Sequence, residues 1–445
     1  MTIQNRRFLW VSNHTPFLTD FGGGQRSSLI YRALRSLGEV DVLLQCLEHT
    51  PGNTREQTHG CPEGRMEIVQ PMTRGERWPW RMIRACAPAL VDKLAYNFGR
   101  REVDYARDPH VGAVFGKMLA DRQYDLIVAR HAKFAAKSGA LECSPVIIDI
   151  DDNEVDLYRR LVTDPHTKPL RRMVLARRVR SLEGLMPRVF NRAAALWVSK
   201  DEDRELPGCA RAMVLPNIPL AMAQPNPPPP LEPDDDSKVL LFLGMLSYVY
   251  NREGLDEFIQ RGWPLVRAAE PEARLRLAGS RLNSADRKRW AAVQGVEVVG
   301  FVEDVRTAYR DAALVMVPIW SGGGTNIKVV EALMHGRPCV VSQPACRGYA
   351  NLAGGTDAAL VVGATPEEMG QRCVELLRQP ERRAALAARG AAAVRRLYTY
   401  DRFVRVVHET VESVLRDHVS LARNAVEMAS GNGTQSFQAQ MLVNK

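Results

Sequence analysis

The sequence has no apolar run near the roughly 18 residues that a membrane-spanning helix needs, so no span is expected. No secretory leader is expected either. Met1–Arg7 passes into the short run Phe8–Ser12 and then polar Asn13-His14, too brief and wrongly flanked for a signal. The eight cysteines, at 46, 61, 86, 143, 209, 339, 346 and 373, form no Cys-x-x-Cys pair and no local Cys/His cluster. Reduced thiols are therefore expected, and structural zinc is not. Nor is composition skewed: 45% hydrophobic and 25% charged residues in 445 exclude wholesale disorder, a collagen-like repeat and a disulfide scaffold. The expectation is a soluble cytoplasmic protein of two or three domains.

Acid is the scarcer charge, with 51 Asp and Glu against 60 Lys and Arg, a net +9. The surplus is uneven, because residues 1–220 carry 33 bases against 26 acids (+7), leaving 27 against 25 (+2) for the rest. The first half is thus the one expected to face something anionic.

Short apolar runs alternate with helical stretches along that half. Phe8–Ser12 is followed by a loop containing Gly22-Gly-Gly-Gln-Arg26, an amphipathic stretch Ser27–Leu37 and a second strand Val40–Leu44. This strand, loop, helix, strand order opens a parallel α/β unit. Leu126–Ala129, Val146–Ile150, Ala194–Ser199 and Ala212–Leu215 are expected to add strands to the same sheet. A Pro- and Asp-rich tract, Pro216–Asp236, contains four consecutive prolines and reads as an extended linker. The alternation then restarts with strands at Val239–Leu243, Leu275–Ala278, Val296–Val299, Leu314–Pro318, Cys339–Ser342 and Ala359–Val362. Helices are expected at Gly254–Ala269, Thr307–Ala313, Ile327–His335, from Pro366 to about Tyr398, and at Asp401–His418, with a disordered polar tail from Ser430. The domains expected are 1–216, a linker 217–236, a second domain 237–400, a returning helix 401–420 and a tail 421–445. Two α/β domains so joined are expected to leave a central ligand-binding cleft.

The most informative stretch runs from Pro318 to Ser342. A strand ends at Pro318, and Gly322, Gly323 and Gly324 remove every Cβ where the next helix starts, so backbone N–H groups and the helix dipole can approach an anion. Lys328 and Glu331, three apart, share a face: a cation for phosphate and a carboxylate able to accept from vicinal hydroxyls. By themselves these residues fit equally a glycine turn followed by a surface Lys–Glu pair.

Taken with Leu241-Phe-Leu-Gly-Met-Leu-Ser-Tyr-Val-Tyr-Asn251, Trp263-Pro264 and Gly295-Val-Glu-Val-Val-Gly-Phe-Val-Glu-Asp-Val305, this stretch resembles the retaining glycosyltransferases of family 4. The match is closest to members carrying Gly-Gly-Gly-Thr-x-x-Lys-x-x-Glu-Ala, and it spans 237–400 strongly and 8–217 more weakly. The resemblance implies two Rossmann-like domains of the B-type glycosyltransferase fold and a nucleotide diphosphate sugar donor. It also implies metal-independent transfer, and no cofactor apart from the donor itself. Glu331 matches the glutamate that binds ribose hydroxyls, and Gly322–Thr325 with Asn326 would face donor sugar and diphosphate. Phe301 and Val302 would edge the base. Two departures stand out. Gly323 replaces a glutamate common in relatives, and Ser247–Asn251 replaces the Arg and Lys diphosphate ligands, leaving Asn251 and Lys328 as candidates.

In the first half, Gly22, Gly23, Gly24 and Arg26 resemble the family loop that closes over donor phosphates, or form a plain β–α turn. His131, directly after a strand, stands where relatives often carry a histidine; a surface or core histidine is the alternative. Asp149-Ile-Asp-Asp-Asn-Glu154 crowds carboxylates at a strand end, which is costly unless they meet cations, hydroxyls or helix N-termini. Either Asp149 or Asp151 touches sugar or acceptor hydroxyls, or Asp151 or Asp152 caps a helix starting near Asn153. The tract Lys168–Arg192 holds eight bases against Glu183 alone, interleaved with apolar residues. With Arg77-Trp-Pro-Trp-Arg81 it fits anionic lipid head groups or a polyprenyl diphosphate acceptor; a solvated arginine-rich helix is the alternative. No nucleic-acid module accompanies it, so no nucleic-acid partner is expected.

These residues point to sugar transfer from a nucleotide sugar to a glycan or lipid-linked acceptor. A nucleotide-sugar epimerase on the same fold and a silent nucleotide-sugar-binding protein remain the alternatives.

Overall fold

The computed structural model describes residues 6–19, 21–45, 64–72, 82, 104–143, 145–164, 167–232, 234–322, 324–354 and 358–431. It divides into two compact units. The first comprises Met1–Leu18, Ser27–Leu215 and Val404–Lys445, the second Thr19–Arg26 and Pro216–Phe403.

The first unit is built on β1 (Arg7–Ser12), β2 (Glu39–Gln45), β3 (Met66–Val69), β4 (Leu126–Arg130), β5 (Val146–Asp151), β6 (Ala195–Val198) and β7 (Ala212–Val214). All pair in parallel in the order β3-β2-β1-β4-β5-β6-β7. Parallel strands covered on both faces have no polar side to display, so their sequences are continuous apolar runs. Phe8, Leu9, Trp10 and Val11 are completely buried, as are Val128, Ala129, Ile147 and Ile148. Among the described residues, five helices accompany the strands: α1 (Gly22–Arg35), α2 (Pro109–Asp121), α3 (Ala132–Ser138), α4 (Glu154–Thr163) and α5 (Pro169–Phe190). Asp108 caps α2 and Asn153 caps α4, each through its side chain.

The second unit carries β8 (Val239–Leu243), β9 (Arg274–Ala278), β10 (Val296–Gly300), β11 (Leu314–Val317), β12 (Cys339–Ser342) and β13 (Leu360–Gly363), parallel in the order β10-β9-β8-β11-β12-β13. Its helices are α6 (Val249–Glu257), α7 (Trp263–Ala269), α8 (Ser284–Ala291), α9 (Val305–Arg310), α10 (Ile327–Met334), α11 (Ala350–Ala353), α12 (Pro366–Leu377) and α13 (Pro380–Leu397). Helix α14 (Tyr400–Gly431) starts in this unit and joins the first from Val404 onward. Its buried Val407, Val411 and Val414 form one stripe, with Glu412 paired to Arg6 and Asp417 to Arg211.

In both sheets the chain reverses its direction of growth once, between β1 and β4 and between β8 and β11. Ligands of open parallel sheets bind outside the carboxyl ends of the strands at such switch points. Among the described residues, no helix is long and apolar enough to cross a membrane.

Several local expectations are corrected. Gly22–Gly24 are the first turn of α1, not a loop preceding it. The helix expected over 254–269 is α6 and α7 joined through a π turn at Phe258–Gly262. Pro264 lacks the N–H that an uninterrupted ladder would require, and the wider turn absorbs the defect. The helical region from Pro366 divides where Pro380 opens α13. Helix α14 continues past His418 to Gly431, so the tail expected from Ser430 starts inside it, and the remainder from 432 lies outside the described residues.

The proline tract is not a free tether. Its backbone carbonyls are taken by arginines of the second unit: Pro228 by Arg395, Pro229 by Arg306, Glu232 by Arg337 and Asp235 by Arg383. Proline offers carbonyls without N–H groups, so the tract has few donors of its own, and the arginines of other segments supply them.

Candidate functional site

At the switch point of the second sheet, β8 is followed by Gly244, and β11 leads through Pro318 into the glycine turn before α10. Gly279, just after β9, has φ +141°, and a Cβ there would lie 1.7 Å from the Gly244 carbonyl oxygen, so only glycine lets the ends of β8 and β9 meet. Gly244 in turn lies under Lys328: a Cβ on it would stand 3.2 Å from Lys328 Cε. The bare backbone makes room for the lysine stem. Lys328 Nζ donates to Asn251 Oδ1 at 3.1 Å and lies 5.5 Å from the Phe242 ring centroid. Asn251 is fixed by its own donation to the Met245 carbonyl at 2.7 Å.

Burial lowers the Lys328 ammonium to about 8, with Glu331 opposing the shift. Glu331 is pushed up by the same burial, against the pull of a Tyr309 hydrogen bond and of Lys328. Tyr309 donates to Glu331 Oε2 at 3.1 Å, and its ring stacks on His335 at 4.6 Å. Lys328 bonds Asn251 rather than closing an ion pair on Glu331, so each keeps bonding capacity for a ligand. Asn326, the N-cap of α10, makes no side-chain cap bond, leaving the first-turn N–H groups unclaimed by it.

The first turn of α1 belongs to this unit. A Cβ on Gly22 would lie 3.3 Å from Ile327, at the start of α10. Arg26 is 1% exposed and donates to Asn217 Oδ1 at 3.0 Å, and Asn217 donates to Thr325 Oγ1 at 2.8 Å. The sequence suggested Arg26 as a phosphate ligand; in the structure its guanidinium is enclosed and donates to Asn217, which in turn donates to Thr325. Gly322 has φ +131° and its carbonyl accepts from Arg347. Gly323 lies outside the described residues, as does the Arg77–Arg81 motif. Gly24 follows Gly22 and Gly23 in the helical turn, and Gly324 precedes Thr325. Phe301 is 67% exposed just after β10, with Val302 half-buried beside it.

In the first unit, Arg130 at the end of β4 is enclosed (1% exposed) and grips Asp149 and Asp151 of β5, the latter at 2.7 Å. Asp149 is fully buried, with its carboxylate on the Arg130 guanidinium. Asp151 is 13% exposed at its side chain, and the cap of α4 is Asn153 rather than Asp151 or Asp152. His131 donates its backbone N–H to the Asp149 carbonyl at 2.7 Å, and Nδ1 lies 3.1 Å from the Ile150 carbonyl. That carbonyl can only accept, so Nδ1 carries the proton and Nε2 is the acceptor. Burial and the Arg130 charge lower the imidazole's affinity for a second proton.

Among the described residues, three non-glycines have φ in the left-handed region: His131 (63°), Asp151 (56°) and Arg281 (59°). His131 and Asp151 stand at carboxyl ends of strands, and Arg281 lies three residues past the end of β9. Such backbone strain collects at functional sites, where surrounding contacts hold it. Sequence reasoning missed Arg281, whose guanidinium lies 5.8 Å from the Phe21 ring centroid. It missed Arg130, Tyr309 and Asn217 as well. The polar Asn217 between Pro216 and Pro219 was the available signal for the last. Among the described residues, no three His, Cys, Asp or Glu side chains are grouped to hold a metal ion.

No curated protein matches the sequence. Solved structures do. Sucrose-phosphate synthase from Thermosynechococcus elongatus aligns at a TM-score of 0.61 and 14% identity, over 93% of this chain and 100% of that one. Anabaena HepE in complex with UDP-glucose aligns at 0.59 and 13%, over 92% and 99%. A UDP-forming α,α-trehalose-phosphate synthase from Burkholderia xenovorans aligns at 0.57 and 13%, over 92% and 99%. The two parallel-sheet Rossmann-like units are those of the B-type glycosyltransferase fold, and residues 237–379, which contain Asn251, Lys328 and Glu331, match the family described as Glycosyl transferases group 1.

Proposed function

We propose that the chain transfers a sugar from a nucleoside diphosphate sugar to a hydroxyl group of a glycan or lipid-linked acceptor, with retention of configuration and without a metal ion. The observation that carries this reading is the placement of Lys328 and Glu331 together at the β8/β11 switch point, within the segment matched by the glycosyltransferase family. A neutral-to-cationic lysine over bare backbone suits a diphosphate, and a carboxylate oriented by Tyr309 suits a pair of ribose hydroxyls. The UDP-glucose and UDP-forming descriptions of two structural neighbours favour a uridine nucleotide.

In the reaction the bond between the anomeric carbon and the diphosphate oxygen breaks, and negative charge grows on that oxygen. Lys328 and the first-turn N–H groups of α10 stabilise it, an effect strongest where donors are already in place. The acceptor hydroxyl attacks from the same face, and its proton passes to the leaving phosphate. No side chain need become covalently bonded. His131, through Nε2, and Asp151 supply acceptors for sugar or acceptor hydroxyls in the first unit, held by Arg130 and Asp149.

The test is a panel of UDP-, GDP-, dTDP- and ADP-sugars, with and without candidate glycan acceptors, in EDTA. Release of nucleoside diphosphate that depends on acceptor, with an unchanged anomeric configuration by NMR, supports the reading. Isomerised donor in the absence of acceptor would indicate an epimerase. Binding without turnover for every acceptor would indicate a silent protein.

A further inference from the structure

Helix α5 has one face in the core and another with no counterpart in the reaction. Leu175, Val179, Leu182, Met186, Val189 and Phe190 are buried, which accounts for its attachment to the sheet. The opposite stripe is Leu170, Met173, Arg177, Arg180, Gly184 and Arg188, all exposed. Their spacings of three and four residues keep them within about a quarter of the helix circumference over roughly 27 Å.

The stripe is polarised along its length. Its N-terminal end presents two large apolar side chains, Leu170 at 65% and Met173 at 60% exposure, flanked by exposed Lys168 and Arg171. Its C-terminal end presents three arginines. Among the described residues, Lys168, Arg171, Arg177, Arg180 and Arg188 close no ion pair. The nearby acid Glu183 is engaged by Arg159 at 2.6 Å. Folding gains nothing from leaving leucine and methionine in water beside unpaired cations.

We propose that this stripe docks the chain on an anionic lipid surface, with Leu170 and Met173 entering the acyl boundary and the arginines meeting lipid phosphates. A polyphosphate chain such as a nucleic acid would use the cations but has no place for two aliphatic side chains. A bilayer interface uses both. The inference does not depend on the proposed transfer reaction, because docking is read without turnover.

The test is co-sedimentation of the full chain with vesicles of phosphatidylcholine alone or with about a third phosphatidylglycerol. Binding is expected only to the anionic vesicles and should fall with added salt. Arg177→Gln, Arg180→Gln and Arg188→Gln together should lower partitioning on the order of a hundredfold, from a several-fold loss per cation. Leu170→Ser with Met173→Ser should weaken binding and leave the remainder more sensitive to salt. Lys288→Gln, Arg310→Gln and Arg402→Gln, three exposed cations elsewhere, should change nothing. Absence of anionic-vesicle binding would overturn the proposal, as would equal loss in that control. So would tight binding of a single-stranded oligonucleotide that persists in the Leu170/Met173 variant.

Discussion

Substituting Lys328 with Met removes a charge while keeping most of the stem that passes over Gly244. Charge-assisted hydrogen bonds are worth about 1.5–3 kcal/mol, so nucleoside diphosphate affinity should drop roughly 10- to 150-fold. The pH profile is the sharper measurement. In the free protein Lys328 releases its proton near pH 8, because burial disfavours the ammonium. A bound diphosphate favours the ammonium and raises that value. The Lys328 contribution to affinity is then constant below pH 8, and above it each bound molecule brings in a proton, so affinity declines by up to about tenfold per unit. Lys328→Met should lack this decline above pH 8. The free protein gives an independent sign. With the folded value depressed from 10.5 to about 8, the native state binds fewer protons than the unfolded state between those pH values. Parent stability therefore rises across that window, and the variant should be the more stable of the two at pH 7, losing the advantage toward pH 10.5. Titration calorimetry with UDP, GDP, dTDP and ADP, and with the corresponding nucleosides, separates the contributions. Equal losses for nucleoside and diphosphate, or a parent-like decline above pH 8 in the variant, would refute the assignment.

Glu331→Ala should weaken binding of the cognate nucleotide by a similar 10- to 150-fold, from about 1.5–3 kcal/mol, and make no difference for its 2′,3′-dideoxy analogue. The same loss with both would mean that the residue supports the fold. Tyr309→Phe removes a bond that favours the Glu331 carboxylate. Binding, which requires the ionised form and is lost as pH falls through its pKa, should then fail at a higher pH than in the parent. Arg130→Met leaves Asp149 buried without its partner, which costs about 3–5 kcal/mol and is read as a lower urea midpoint. An unchanged midpoint would show that the carboxylate is solvated.

The sequence alone determined the alternation of apolar runs and amphipathic helices, because strands buried on both faces need apolar side chains at every position. It also determined that Lys328 and Glu331 share a face, since their separation of three residues is a local property of any helix. The tertiary structure decided their surroundings. Asn251 reaches Lys328 across 77 residues and Tyr309 reaches Glu331 across 22, distances closed only when the parallel strands align their carboxyl ends. For the same reason Arg130 gave no signal, since its partners come from the neighbouring strand β5. The proline tract read as an extended linker because its prolines cannot join a helix or central strand, while the arginines that take its carbonyls come from segments 70 or more residues away. Local spacing fixes which side chains share a face, and long-range packing fixes which charges are enclosed, paired or left available for a ligand.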